Sequence, residues 1–272
     1  MGDYWQGQAV EQLEQFFYQE PEARAFVLGG SLAVTAVPTD IWSDVDARII
    51  LADGAVEHYY LSTTWLFPFG RLIGNERHEN HLTKTMRVCL ENGRRFDLTF
   101  IAESTMQNPA LWDRNPFYPA YRVVWSRLPD LEKWITSLPT PAEYQDTPWT
   151  EIDRMVAAFW FKAALAIAKV ARNDLLIGLH LALDLARDGL VLQMTQRDRE
   201  IGTRMHRIGG WGNELAARFV WQDRAGSGEA ILDFIQLSCE IFDELAADLL
   251  PDYDQRSPLL LPTLELAKQT LP

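Results

Sequence analysis

Two cysteines in 272 residues, Cys89 and Cys239, are too few and too far apart for a disulfide framework, and neither lies in a Cys-x-x-Cys or Cys/His cluster that would hold zinc. Positive charge is scarce as well: 25 Lys and Arg stand against 38 Asp and Glu, a formal charge of −13 at pH 7. That balance argues against a surface that tracks long nucleic acid. It suits a small cationic substrate, or serves solubility alone. No apolar run approaches the ~18 residues of a membrane span, and the N-terminal MGDYWQGQAVEQLEQ has no basic stretch leading into an apolar one. The expected setting is the cytoplasm, with no membrane partner, as a monomer or homodimer. Repeats and low-complexity tracts are also missing. What remains is 47% hydrophobic and carries ten tryptophans, enough for a substantial core.

The texture of the chain changes near residue 140. Before it, Val10, Leu13, Phe16 and Phe17 at helical spacing open onto several short strand-like runs mixed with helical pieces. The segment Ser137 to Trp149 holds three prolines and reads as a linker. After it come long apolar-periodic stretches, 152–171, 174–195, 213–221 and 230–250, which predict a helical bundle. Asn173-Asp174 is expected as a turn and N-cap, and Gly209-Gly210-Trp211-Gly212 as a loop. The texture predicts α/β or α+β structure over residues 1–140, a helical bundle over 141–272, and a ligand cleft between them.

Residues 28 to 46 and Asp97 carry the chemistry. A Gly29-Gly30-Ser31 turn follows the apolar run Phe26-Val27-Leu28, and Asp44 and Asp46 then stand one residue apart at the start of a second run, Ala47 to Leu51. Alternation along an extended chain puts both acids on one face. Asp97 opens a third run, Leu98 to Ile101. If the two strands are neighbours, three carboxylates converge, a donor set for hard divalent cations that also bind phosphates. Ionised carboxylates so close repel one another, so the grouping is costly without a cation. A tight turn entering a helix N-terminus would aim N–H groups at a polyphosphate. Together these residues predict Mg²⁺-dependent nucleotidyl transfer.

GGSLAVTAVPTDIWSDVD, WLFPFG and ENGRRFDLTFI, followed by FWFKAALAIAKVARNDLL and Pro251-Asp252-Tyr253-Asp254, resemble the aminoglycoside 6-adenylyltransferases. These are streptomycin-modifying members of the polymerase-β-like nucleotidyltransferase superfamily. The resemblance covers most of the chain. It implies an α+β fold in which an N-terminal polymerase-β-like nucleotidyltransferase domain, a mixed sheet with helices, precedes a helical substrate-binding domain. It also implies transfer of AMP from ATP to a hydroxyl of the antibiotic with release of pyrophosphate. Asp44, Asp46 and Asp97 would hold two Mg²⁺ ions. Gly30 and Ser31 would bind the triphosphate, Asp40 would assist it or shape a turn, and Lys169 would neutralise phosphate charge or sit solvated on its helix.

Two positions depart from that pattern. Leu32 stands where relatives commonly carry arginine, and His180 falls where they present an acid to deprotonate the acceptor. His180 is thus the candidate base, with Asp184 one turn on to attract a cationic substrate. The same chemistry on a lincosamide or another small alcohol, or a nucleotide-binding regulatory module without turnover, are the alternatives. Arg94 and Arg95 are expected as loop charges and Trp42 as a packing residue. Of Phe159, Trp160 and Phe161, one or two belong in the core. Glu76 to His81, ERHENH, is expected as a solvated loop before a strand at 85–90 rather than a metal cluster.

Overall fold

The structure, a computed structural model, describes residues 5–34, 39–140, 142–203, 210–219 and 227–271. It divides into two compact units between Ala142 and Glu143. The first opens with α1 (Trp5–Gln19), whose buried residues Gln6, Ala9, Val10, Leu13 and Phe17 recur every three or four positions and so form one stripe. A six-stranded sheet follows: β1 (Ala23–Leu28), β2 (Val45–Leu51), β3 (Leu72–Glu79), β4 (Thr83–Leu90), β5 (Arg95–Ala102) and β6 (Arg122–Ser126), in the order β3-β4-β5-β2-β1-β6. Only β2 and β5 pair in parallel, which makes the sheet mixed.

Strand alternation gives the sheet two unlike faces. Val45, Ala47, Ile49 and Leu51 of β2 join Phe96, Leu98 and Phe100 of β5 in one core with α1 and the short helix α2 (Val56–Leu61). On the other face Ala25, Val27, Ile50 and Ile101 pack with Met106 of α3 (Glu103–Met106) and Leu131 and Ile135 of α4 (Leu131–Ser137). Asp46 and Arg48 continue the row that ends in Ile50, and Asp97 and Thr99 the row that ends in Ile101. This second face is therefore apolar at one end and charged at the other.

The ERHENH segment departs from expectation. Its first four residues belong to β3, with Glu76 opposite Arg87 and Glu79 opposite Lys84, while His81 lies past the strand. Backbone pairing to β4 is enough to hold a polar edge strand extended, and its charged side chains keep that edge solvated.

The second unit contains α5 (Trp149–Ala171), α6 (Leu175–Ile201), α7 (Asn213–Arg218), α8 (Gly228–Leu249) and α9 (Ser257–Thr270). Phe159 is buried and stacks on Phe242 with ring centroids 3.6 Å apart, Trp160 is buried beside it, and Phe161 is 75% exposed. Asn173 makes the turn between α5 and α6 at φ 58°, a conformation asparagine tolerates better than most residues. Asp174 stands at the N-cap position but caps nothing with its side chain, because its carboxylate takes the Lys169 ammonium at 3.1 Å instead. The helix expected over 213–221 stops at Arg218; residues 220 and 221, and Gly209 of the expected loop, lie outside the described residues. Helix α9 has no counterpart among the predicted stretches, since Pro258 and Pro262 interrupt its sequence. Pro258 sits in the first turn, where a missing N–H costs little, and Pro262 is carried inside the helix.

Candidate active site

The site forms at the charged end of the second sheet face, where β1 hands over to the glycine turn. Gly29 N–H donates to the Asp46 carbonyl at 2.9 Å, which fastens the turn to the start of β2. Gly30 has φ +56° and opens a four-residue 3-10 turn, Gly30–Ala33, in place of the helix N-terminus expected there. A Cβ on Gly30 would lie 1.9 Å from Asp46 Oδ2, and one on Gly29 would lie 1.4 Å from Arg48 Nη1. The left-handed backbone at Gly30 calls for glycine, and at both positions a side chain would displace the carboxylate or guanidinium that now occupies the room. Ser31 is half-buried on this turn, and Leu32 packs against the core below it.

The approach to Asp44 is built by the first turn of α1. Gln6, 1% exposed, donates through Nε2 to the carbonyls of Asp40 and Ser43 at 2.7 and 2.8 Å, and Trp5 Nε1 donates to the Ile41 carbonyl. Asp40 Oδ1 accepts from Trp42 N–H at 2.9 Å and from the Ser43 hydroxyl at 3.0 Å, so its carboxylate closes the loop on itself. Those two donors, the Ser43 hydroxyl first, hold the Asp40 carboxyl below its usual range. Trp42 does not pack as expected: it is 75% exposed, and its carbonyl accepts from Arg95 Nη2 at 2.7 Å. Arg95 thus begins β5 and braces the loop, while Arg94 lies over the Trp5 ring.

Asp46 and Asp97 face each other across the parallel β2–β5 pair. Asp44, just ahead of β2, and Asp97 border one open cavity of about 460 Å³ together with Asn75, Glu76, Arg87 and Arg95. Burial, and then the Asp44 charge, push the Asp97 carboxyl above its usual value against the pull of Arg87 and Arg95. An acid raised in this way favours the folded state only at low pH, and its advantage is lost as pH rises through the raised value. At neutral pH Asp97 is a standing cost to the fold. Arg87 Nε offsets part of it by donating to Asp97 Oδ2 at 3.0 Å.

Among the described residues, no three His, Cys, Asp or Glu side chains stand close enough to hold a metal ion as placed. The donor chemistry nevertheless suits Mg²⁺: Asp44, Asp46 and Asp97 offer carboxylate oxygens alone, and a cation there would relieve the cost carried by Asp97. Sequence reasoning missed Arg48 and Arg87. Strand alternation carried the signal for the first, since Arg48 follows Asp46 by two residues; the second needed the β4–β5 register that sets Arg87 opposite Asp97.

The remaining candidates lie in the second unit. His180 is exposed on α6. Asp184, one turn on, is not a free charge: Lys162 Nζ lies 3.8 Å from it and 2.7 Å from Asp188. Lys169 is likewise committed, to Asp174. Among the described residues no helix is long and apolar enough to cross a membrane.

Among curated proteins none matches the chain. A solved aminoglycoside 6-adenyltransferase from Bacillus subtilis is similar over 97% of this chain and 98% of its own, at 13% identity and a TM-score of 0.35. Spectinomycin adenyltransferase from Enterococcus faecialis, with ATP and spectinomycin, is similar over 98% of both chains, at 13% identity and a TM-score of 0.30. Likeness at that level transfers no residue's role. The streptomycin adenylyltransferase family model, in contrast, matches residues 6–205, well over half of the sequence, and spans the glycine turn, all three carboxylates and His180. The chain belongs to the streptomycin adenylyltransferase family and is a nucleotidyltransferase.

Proposed function

We propose that this enzyme transfers AMP from ATP to a hydroxyl of an aminoglycoside of the streptomycin kind, with Mg²⁺ held by Asp44, Asp46 and Asp97. The observation that carries the reading is the placing of Asp46 and Asp97 side by side on parallel strands at a glycine turn opened by Gly30. Mg²⁺ bound there would neutralise the charge that builds up on the triphosphate. Backbone N–H groups of the turn and the Ser31 hydroxyl bind phosphate oxygens. The acceptor oxygen forms a bond to the α-phosphorus, the α–β anhydride bond breaks, pyrophosphate leaves, and the acceptor proton passes to His180. The first unit is the catalytic domain in this scheme and the second is the substrate-binding domain. Asp40 acts by shaping the loop that presents Asp44, and Lys169 meets phosphate only after leaving Asp174.

One observation favours a second acceptor class. Lys162 already occupies the carboxylates of Asp184 and Asp188, so this part of α6 exerts less pull on a polycation than two free acids would. A lincosamide or another small alcohol, less charged than streptomycin, fits that arrangement.

Pyrophosphate release from Mg·ATP, measured with streptomycin, spectinomycin, a lincosamide and no acceptor, tests both readings. Streptomycin-dependent release is expected. Release with another acceptor alone would keep the chemistry and replace the substrate, and silence with every acceptor would overturn transfer. In the same assay His180→Ala is expected to lower kcat by about 10²–10⁴-fold with little change in nucleotide affinity. An unaltered pH–rate profile in that variant would remove His180 from the chemistry.

A further inference from the structure

The residues Gly29 to Ala33 carry no charge, yet a cation is built in against their turn. Arg48 shares a strand face with Asp46, and its guanidinium fills the space that a Cβ on Gly29 would need. Its Nε donates to the Pro116 carbonyl at 3.1 Å. The loop bearing that carbonyl is itself fixed, by Asn115 Nδ2 donating to the Ile135 carbonyl at 3.0 Å and by Phe117 N–H donating to Asn115 Oδ1 at 2.9 Å. The arginine is therefore held at both its strand and its tip. Its Nη1 is sequestered from solvent with no hydrogen-bond partner among the described residues, an expense a folded protein rarely leaves in place without use.

We propose that Arg48 is a positioning residue that sets the charge balance of the nucleotide site, making it a poor binder of bare divalent cation and a good binder of the cation–triphosphate complex. The inference rests on the nucleotide-transfer reading of the same site. A fixed positive charge next to Asp46 and Asp97 opposes a second cation arriving alone, because like charges in a partly dry site repel strongly. The same charge attracts a triphosphate, whose negative charge exceeds that of the metal it brings. Arg48 thus biases the site towards loading metal and nucleotide together. Arginine suits the task because its guanidinium is the most strongly basic of the side-chain cations and tolerates partial burial better than an ammonium.

The two effects have opposite signs, which separates this role from a merely structural one. Arg48→Gln and Arg48→Met remove the charge while filling its slot, and Arg48→Lys keeps the charge. Mn²⁺ binding without nucleotide, read by electron paramagnetic resonance, is expected to tighten about tenfold in either neutral variant. Calorimetric binding of a non-hydrolysable Mg·ATP analogue is expected to weaken about tenfold in the same proteins, with Arg48→Lys closer to wild type in both. Either neutral variant that melts cooperatively gives the readout. Loss of both affinities together, or no change in either, would overturn the role of Arg48 while leaving the site standing. Wild-type protein that binds neither Mn²⁺ nor the analogue would overturn the nucleotide site, and the role of Arg48 with it.

Discussion

Asp46→Asn is expected to reduce acceptor-dependent pyrophosphate release by about 10²–10⁴-fold, or roughly 3–5 kcal/mol of transition-state stabilisation, while leaving the melting temperature within about 2 °C of wild type. Three features single out Asp46 among the acids. Its carboxylate fills the space left by Gly30, it stands opposite Asp97 in the parallel register, and its own carbonyl accepts from Gly29 N–H to fasten the turn. Asparagine keeps the shape and the backbone bond but removes the negative charge that a divalent cation needs. A steady-state assay with the acceptor that supports wild-type turnover, paired with a thermal melt, checks both halves. Wild-type turnover in the variant would sink the metal site. Slow turnover with a collapsed melting curve would show instead that Asp46 is there for the fold.

The second large effect concerns stability and lies far from the carboxylates in sequence. Asp243, 2% exposed on α8, accepts from the Tyr253 hydroxyl at 2.6 Å, from Arg256 N–H at 2.9 Å and from Ser257 N–H at 2.7 Å. Tyr253 in turn accepts from Trp160 Nε1 at 2.9 Å, which ties α5 into the same network. Burial, and then this carboxylate, push the Tyr253 phenol well above its usual value, so it remains protonated and able to donate. Since Arg256 at the N-cap of α9 offers no capping side chain, Asp243 supplies from another helix the acceptor that the first turn lacks. Asp243→Ala would leave a part-buried hydroxyl and two backbone N–H groups without their acceptor. The expected loss is about 3–5 kcal/mol, or on the order of 10 °C in the melting temperature of this unit. A drop below about 2 °C would show that water replaces the carboxylate at no cost.

Asp243 also shows where a linear reading stops. The Pro251-Asp252-Tyr253-Asp254 segment was conspicuous in the sequence, but nothing near it names Asp243 or Trp160 as partners of Tyr253. Helix α9 was hidden for a related reason: two prolines broke its pattern, and its starting acceptor comes from α8. The ERHENH edge strand was likewise unreadable, because polar residues become a strand there only through pairing with β4. Asp184 and Lys169 carry obvious charges in the sequence, yet both are already paired, with Lys162 and with Asp174.

The sequence by itself determined whatever depends on local alternation, spacing and composition. It placed short strands mixed with helices ahead of a helical bundle, put Asp46 and Asp97 at the starts of strands and a glycine turn ahead of them, and identified the family through motifs that run almost the length of the chain. The placing of strands, turn and helices is set by the 2.0 and 3.6 residue periods and by the few residue types that tolerate a left-handed turn, whereas the family rests on the likeness of the motifs alone. Only the tertiary structure decided which charges remain free. It set β5 parallel to β2, so that Asp97 meets Asp46; it gave Asp97 to Arg87, and it lodged Arg48 beneath the turn. Charge–charge energies depend on separation and burial, and both are fixed by strand order and packing between segments fifty residues apart.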